Sequence, residues 1–124
     1  MSGADVHRVV AFAHVADVAR TQAFYARLGF RVLDELQGED GRPYWTHIKA
    51  GAASLMFALA SEPVIASQQA VLFYMYCDDV AGLRARLAEA GIGVSEITYP
   101  PYMEEGEIRV EDPDGYTILI GQAA

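Results

Sequence analysis

The chain of 124 residues is 52% hydrophobic and 21% charged, the balance of one globular domain rather than a disordered segment or a two-domain enzyme. Nine Lys and Arg against 17 Asp and Glu give a formal charge of -8, which repels a nucleic-acid backbone over most of the surface and attracts cationic small molecules. The single cysteine, Cys77, excludes an intrachain disulfide and a zinc site built on several thiolates, and no apolar run approaches the ~20 residues of a membrane span. The start, Met1-Ser2-Gly3-Ala4-Asp5, lacks the basic and apolar regions of a signal peptide, so a cytoplasmic protein is expected.

In chain order, residues 9–15 form an apolar run of strand length, rich in β-branched residues, that leads to Asp17. Asp17 is placed as a helix N-cap, since its carboxylate accepts from unpaired amides of a first turn. The helix that follows carries Val18, Phe24, Tyr25 and Leu28 on one broad face and stops at Gly29, where a left-handed conformation is needed. Phe30-Arg31-Val32-Leu33 begins the next strand. Residues 44–49 and 54–59 supply two more, separated by turns at Gly38-Glu39-Asp40-Gly41 and Gly51. Residues 61–69, with Pro63, are a connector. The pattern then returns: Asp17-Val18-Ala19 recurs as Asp79-Val80-Ala81, 62 residues on and half the chain length, and Gly29 falls on Gly91. Residues 71–77 repeat the first strand, a helix from Asp79 presents Val80, Leu83, Leu87 and Ala90, and Ile92-Gly93-Val94 begins a strand. Residues 107–111 and 116–120 complete the set around the turn Asp112-Pro113-Asp114-Gly115. The predicted fold is α+β: module one over about 6–60 and module two over about 70–122, each βαβββ.

The phrase Ala23-Phe24-Tyr25-Ala26-Arg27-Leu28-Gly29-Phe30, its degenerate copy from Asp78-Asp79-Val80 to Gly91, and the closing phrase Asp112-Pro113-Asp114-Gly115-Tyr116 together resemble the vicinal oxygen chelate superfamily. That group holds glyoxalase I, extradiol dioxygenases and the fosfomycin- and bleomycin-resistance proteins. The resemblance implies curved mixed sheets around one cavity, usually completed across a homodimer. It also implies one divalent metal held from the first and last strands of each module. Those positions fall here on Val10, Leu72, Leu119 and either Leu55 or Met56, and none suits magnesium, manganese, zinc or iron. The pattern is therefore nearest to the metal-free, bleomycin-resistance-like members.

Strand alternation puts Phe12 and His14 on the face of Val10, and Tyr74 and Tyr76 on the face of Leu72, so an aromatic cavity wall is expected. Trp45 and His47 have no fixed facing. Tyr102 lies in a loop where no core requires it, and Glu107 and the loop carboxylates Glu104 and Glu105 bring negative charge to the cavity mouth. These eight, Phe12, His14, Trp45, His47, Tyr74, Tyr76, Tyr102 and Glu107, are the candidate ligand-binding residues. Cys77 and Met75 alternate toward a helix and are assigned to the core, and His7 to solvent. The expected function is metal-free binding of a drug or metabolite, partly aromatic and cationic or neutral. One alternative is a lyase or dioxygenase with a metal moved to His14, His47 and a carboxylate such as Glu107, or with His14 as acid–base catalyst. Another is a non-catalytic interaction module.

Overall fold

A computed structural model describes residues 3–124; the first two residues of the amino-terminal stretch discussed above lie outside it. Module one is β1 (Ala11–Val15), α1 (Val18–Ala26), β2 (Arg31–Gln37), β3 (Pro43–Ala50) and β4 (Ala53–Leu59). Module two is β5 (Leu72–Cys77), α2 (Val80–Glu89), β6 (Glu107–Glu111) and β7 (Thr117–Gln122). A short 3-10 turn, Ala66–Gln68, lies in the connector. Among the described residues no helix is long and apolar enough to cross a membrane.

The repeat is visible in the pairing. The first sheet runs β1-β4-β3-β2 and the second β5-β7-β6, with β1–β4 and β5–β7 both parallel and the other neighbours antiparallel. The two sheets remain separate and form no closed barrel. Both helices begin and end alike. Asp17 Oδ1 accepts from the Arg20 amide at 3.1 Å and Asp79 Oδ1 from the Gly82 amide at 2.9 Å. At the other ends Gly29 (φ 95) and Gly91 (φ 78) turn the chain, so that the Phe30 amide bonds Tyr25 O and the Ile92 amide bonds Leu87 O.

Module two departs from the predicted βαβββ. Between Ile92 and β6 the described residues form no strand; this segment meets β6 at the isolated bridges Val94↔Val110 and Thr98↔Glu107 and through the Ser95 amide, which donates to Arg109 O at 3.0 Å. The Ser95 hydroxyl takes the Arg109 amide at 2.8 Å, competing with a regular ladder. Pro100 and Pro101 then have no N–H to donate.

Each helix covers one face of its sheet, burying Val15, Ile48, Leu55 and Phe57 in module one and Phe73, Ile108, Val110, Ile118 and Ile120 in module two. Met75 and Cys77 lie on that side, partly buried against the core, and His7 is exposed. The modules are joined by the closing turn. The Tyr25 hydroxyl donates to Asp112 Oδ2 at 2.8 Å, the Ala16 amide to Asp114 Oδ1 at 2.8 Å, and the Tyr116 hydroxyl to His14 O at 3.0 Å. Asp112 Oδ1 accepts the Asp114 and Tyr116 amides at 2.9 and 3.0 Å, so the carboxylate that receives Tyr25 also shapes its own turn. Gly115, at φ 86, lies so close to Ala66 that a Cβ would collide with it. The turn therefore needs glycine both for its backbone and for the seat of the connector.

Burial, opposed by hydrogen bonds from Tyr25 and the turn amides, raises the Asp112 carboxyl above its ordinary range. Replacing Tyr25 by Phe strips Asp112 Oδ2 of its donor inside the protein and should lower the unfolding free energy by about 1–3 kcal/mol in urea titrations. A raised carboxyl adds stability at pH below the ordinary carboxylate range and loses it as pH climbs through the elevated value. Unfolding measured against pH should therefore show this fall in the wild type relative to Asp112→Asn, in which the titrating group is gone.

Candidate functional site

The faces turned away from the helices carry the candidate residues. Register settles the facing of Trp45 and His47, which alternation alone leaves open. His14, Ala58, Trp45 and Leu36 form one row across the first sheet, and Phe12, Met56, His47 and Asp34 form the next. On the second sheet the rows are Tyr76–Gly121–Glu107, Tyr74–Leu119–Arg109 and Leu72–Thr117–Glu111. Phe12, Leu36, Leu72, Tyr74 and Tyr76 are all exposed, which is a large uncovered apolar area for one short chain.

The structure thus sorts the eight candidates into two groups, one per sheet, with Phe12, His14, Trp45 and His47 on the first. No hydrogen bond or ring contact among the described residues joins the groups. At one end of the first face a hollow of about 570 Å³ is lined by Leu36, Tyr44, Trp45, Ala58 and Leu59 and their neighbours. His47 Nε2, buried on this face, has no hydrogen-bond partner, so the middle of the sheet holds an unsatisfied polar atom that sequence reasoning gave no sign of. The His14 ring lies 6.2 Å from Phe12, edge to face.

On the second sheet Glu107 is not the solvated carboxylate that its place beside the loop suggests. It is only 6% exposed, and the hydroxyls of Tyr74 and Tyr102 donate to Oε1 and Oε2, each at 2.9 Å. Gly121 makes this geometry reachable, since a Cβ there would meet the Tyr74 hydroxyl at 2.7 Å and Met103 Cε at 2.6 Å. Tyr102 therefore has a structural task, fastening the loop onto the sheet, while its ring remains largely exposed. Tyr74 sits 5.2 Å from Tyr76 and 6.1 Å from Tyr102, a cluster of three rings. Beside it a hollow of about 440 Å³ is bounded by Tyr76, Tyr102, Met103, Glu104 and Glu105.

The chemistry of the metal positions is apolar. Met56 shares the open face with Phe12 while Leu55 is buried under the helix, so the fourth position falls on Met56, a soft thioether. With Leu72 and Leu119 on the second face, these side chains do not fit a hard divalent ion. In the relocated set, Glu107 already accepts a tyrosine hydroxyl at each oxygen, and His14 and His47 lie on the other sheet. No group of three His, Cys, Asp or Glu among the described residues could hold a metal.

Burial first, then the hydrogen bond and charge of Glu107, raise the Tyr74 phenol, and the Glu107 hydrogen bond is the leading cause for Tyr102. Glu107→Gln removes the negative charge that opposes phenolate formation. Alkaline titration followed by phenolate absorbance should show two tyrosines ionising at lower pH in this variant than in the wild type.

No curated protein sequence matches the chain. Among solved structures it is similar to TnmS3, an antibiotic-binding protein from Streptomyces sp. CB03234, at 26% identity and TM-score 0.73 over 99% of this chain and 100% of that one. The bleomycin resistance determinant encoded on transposon Tn5 shares its fold at 19% identity and TM-score 0.76, covering 94% of this chain and 98% of that one. A bleomycin-binding protein complexed with bleomycin does so at 19% identity and TM-score 0.74, over 96% and 100%. Residues 6–120 match the family model described as the Glyoxalase/Bleomycin resistance protein/Dioxygenase superfamily, and the chain belongs to that superfamily.

Proposed function

We propose that this chain is a metal-free small-molecule binding protein, acting in the cytoplasm as a homodimer whose ligand lies between the first sheet of one copy and the second sheet of another. The observation that carries this reading is the pair of uncovered, aromatic sheet faces in one chain. Each offers stacking surface without a wall opposite it, and a two-fold partner supplies that wall for both at once. The antibiotic-binding and bleomycin-binding relatives support the ligand class. Rings on both faces favour a partly aromatic ligand, and Glu104, Glu105 and the charge of -8 favour a neutral or cationic one. The enzyme alternative, a metal held by His14, His47 and a carboxylate such as Glu107 or acid–base catalysis by His14, is less favoured, because both Glu107 oxygens already accept tyrosine hydroxyls.

Light scattering at micromolar concentration should return twice the 13.5 kDa mass of one chain, and elemental analysis no stoichiometric divalent metal. In thermal-shift measurements, bleomycin and matched cationic, neutral and anionic naphthalene derivatives should separate by charge, with the cationic and neutral compounds stabilising most. Trp45→Ala and Tyr76→Ala should each weaken the best of them about tenfold, near 1.4 kcal/mol. A monomer, or strongest stabilisation by the anionic compound, overturns the proposal.

A further inference from the structure

The two modules meet at two seams, and the seams are built differently. Beside α1 and β1 lies the β6–β7 turn, which spends five residues, 112–116, between the paired Glu111 and Thr117. Its carboxylates reach across to Tyr25 and to the Ala16 amide. Beside α2 and β5 lies the equivalent β3–β4 turn, which spends two residues, Gly51 and Ala52, between the paired Ala50 and Ala53. At the repeat spacing of 62, Asp112 and Asp114 fall on Ala50 and Ala52, and Tyr25 falls on Leu87. The second seam therefore has a shorter turn, no carboxylate and no hydroxyl to bond.

What remains is a hollow of about 420 Å³. Phe30, Leu83 and Ile120 are its buried lining, with Leu28, Met75 and Cys77 partly buried beside them. Tyr74 and Tyr76 border the hollow from β5, but their side chains stand on the open face, where the Tyr74 hydroxyl is bonded to Glu107. Neither unpartnered buried polar side-chain atom, His47 Nε2 or Asp114 Oδ2, belongs to its lining. Water inside such a space needs two to four polar partners and finds few here, whereas apolar atoms regain the contacts that the short turn leaves unmade.

We propose that this seam hollow is a second small-molecule site, distinct from the sheet faces, for an uncharged apolar molecule of one or two rings. It does not depend on the ligand-binding reading above, because its buried lining lies on the helix side of the second sheet.

Toluene is a suitable probe. Titrated into methyl-labelled full-length protein, it should shift the methyl resonances of Leu28, Leu83, Met75 and Ile120 saturably, while those of Leu36 and Leu72 on the open faces move little. Saturating toluene should also slow alkylation of Cys77, the only thiol in the chain, by iodoacetamide. Ala52→Leu, on the exposed turn, and Cys77→Leu, in the wall, both place extra methyl groups in the hollow and should each weaken toluene binding about tenfold. Shifts confined to Leu36 and Leu72 overturn the seam site and leave the sheet-face reading standing. No saturable shift up to the solubility limit of toluene, or unchanged binding in both variants, overturns it as well.

Discussion

The buried hydrogen bond from the Tyr25 hydroxyl to Asp112 is the contact on which the arrangement of the two modules depends. Each module is a thin layer, a helix on one side of three or four strands, and neither could hold a defined position relative to the other through one hydrophobic face alone. Tyr25 is at once the centre of the module-one core, 5.0 Å from Phe57 and 5.7 Å from Phe30, and the donor to the closing turn of module two. Desolvating the Asp112 carboxylate is unfavourable, which three convergent donors offset only in part, leaving the carboxyl raised. The Arg20 contact to Asp114, at 3.6 Å with half of the arginine side chain in solvent, adds little by comparison. The junction is thus directional, and it sets where the open faces of both sheets point.

Much of this architecture is legible in the amino-acid sequence because its determinants are local. An aspartate cap and a terminal glycine act within a turn of the helix they bound, so Asp17 with Gly29 and Asp79 with Gly91 delimit both helices to within a few residues. The missing strand of module two has no such local marker. Ile92-Gly93-Val94 has strand composition, but it meets β6, more than ten residues further on, through isolated bridges, and the Ser95 hydroxyl takes the Arg109 amide in place of a regular ladder. The facing of Trp45 and His47 was open because the loop before β3 leaves its register free; burial of Thr46 and Ile48 on the helix side fixes it.

The candidate site divides along the same line. Phe12, His14, Tyr74 and Tyr76 follow from simple alternation in regular strands, and they lie where that rule puts them. Glu107 does not, because its burial depends on a tyrosine 33 residues earlier reaching over Gly121, and on a loop tyrosine folding back. A carboxylate beside an acidic loop looks solvated until the non-local donors are known. The Tyr25 link was hidden in the same way: in a helical wheel the ring counts as apolar, and its hydroxyl acquires a role only when the closing turn arrives from 87 residues away.

A duplicated fold has two copies of every surface, and the copies here have diverged toward different chemistry. The first face mixes Trp45, two histidines and aliphatic side chains, with one imidazole nitrogen left unpaired. The second is a tyrosine cluster pinned by a buried carboxylate. A molecule held between unlike faces is oriented as well as bound, since only one of its sides meets the imidazoles and only the other meets the phenols. Two-fold symmetry would generate that oriented site twice, from a single chain too short to enclose it once. The metal positions of the fold remain apolar side chains within those same faces, so the surface that elsewhere in the superfamily could carry a metal is here available for contact.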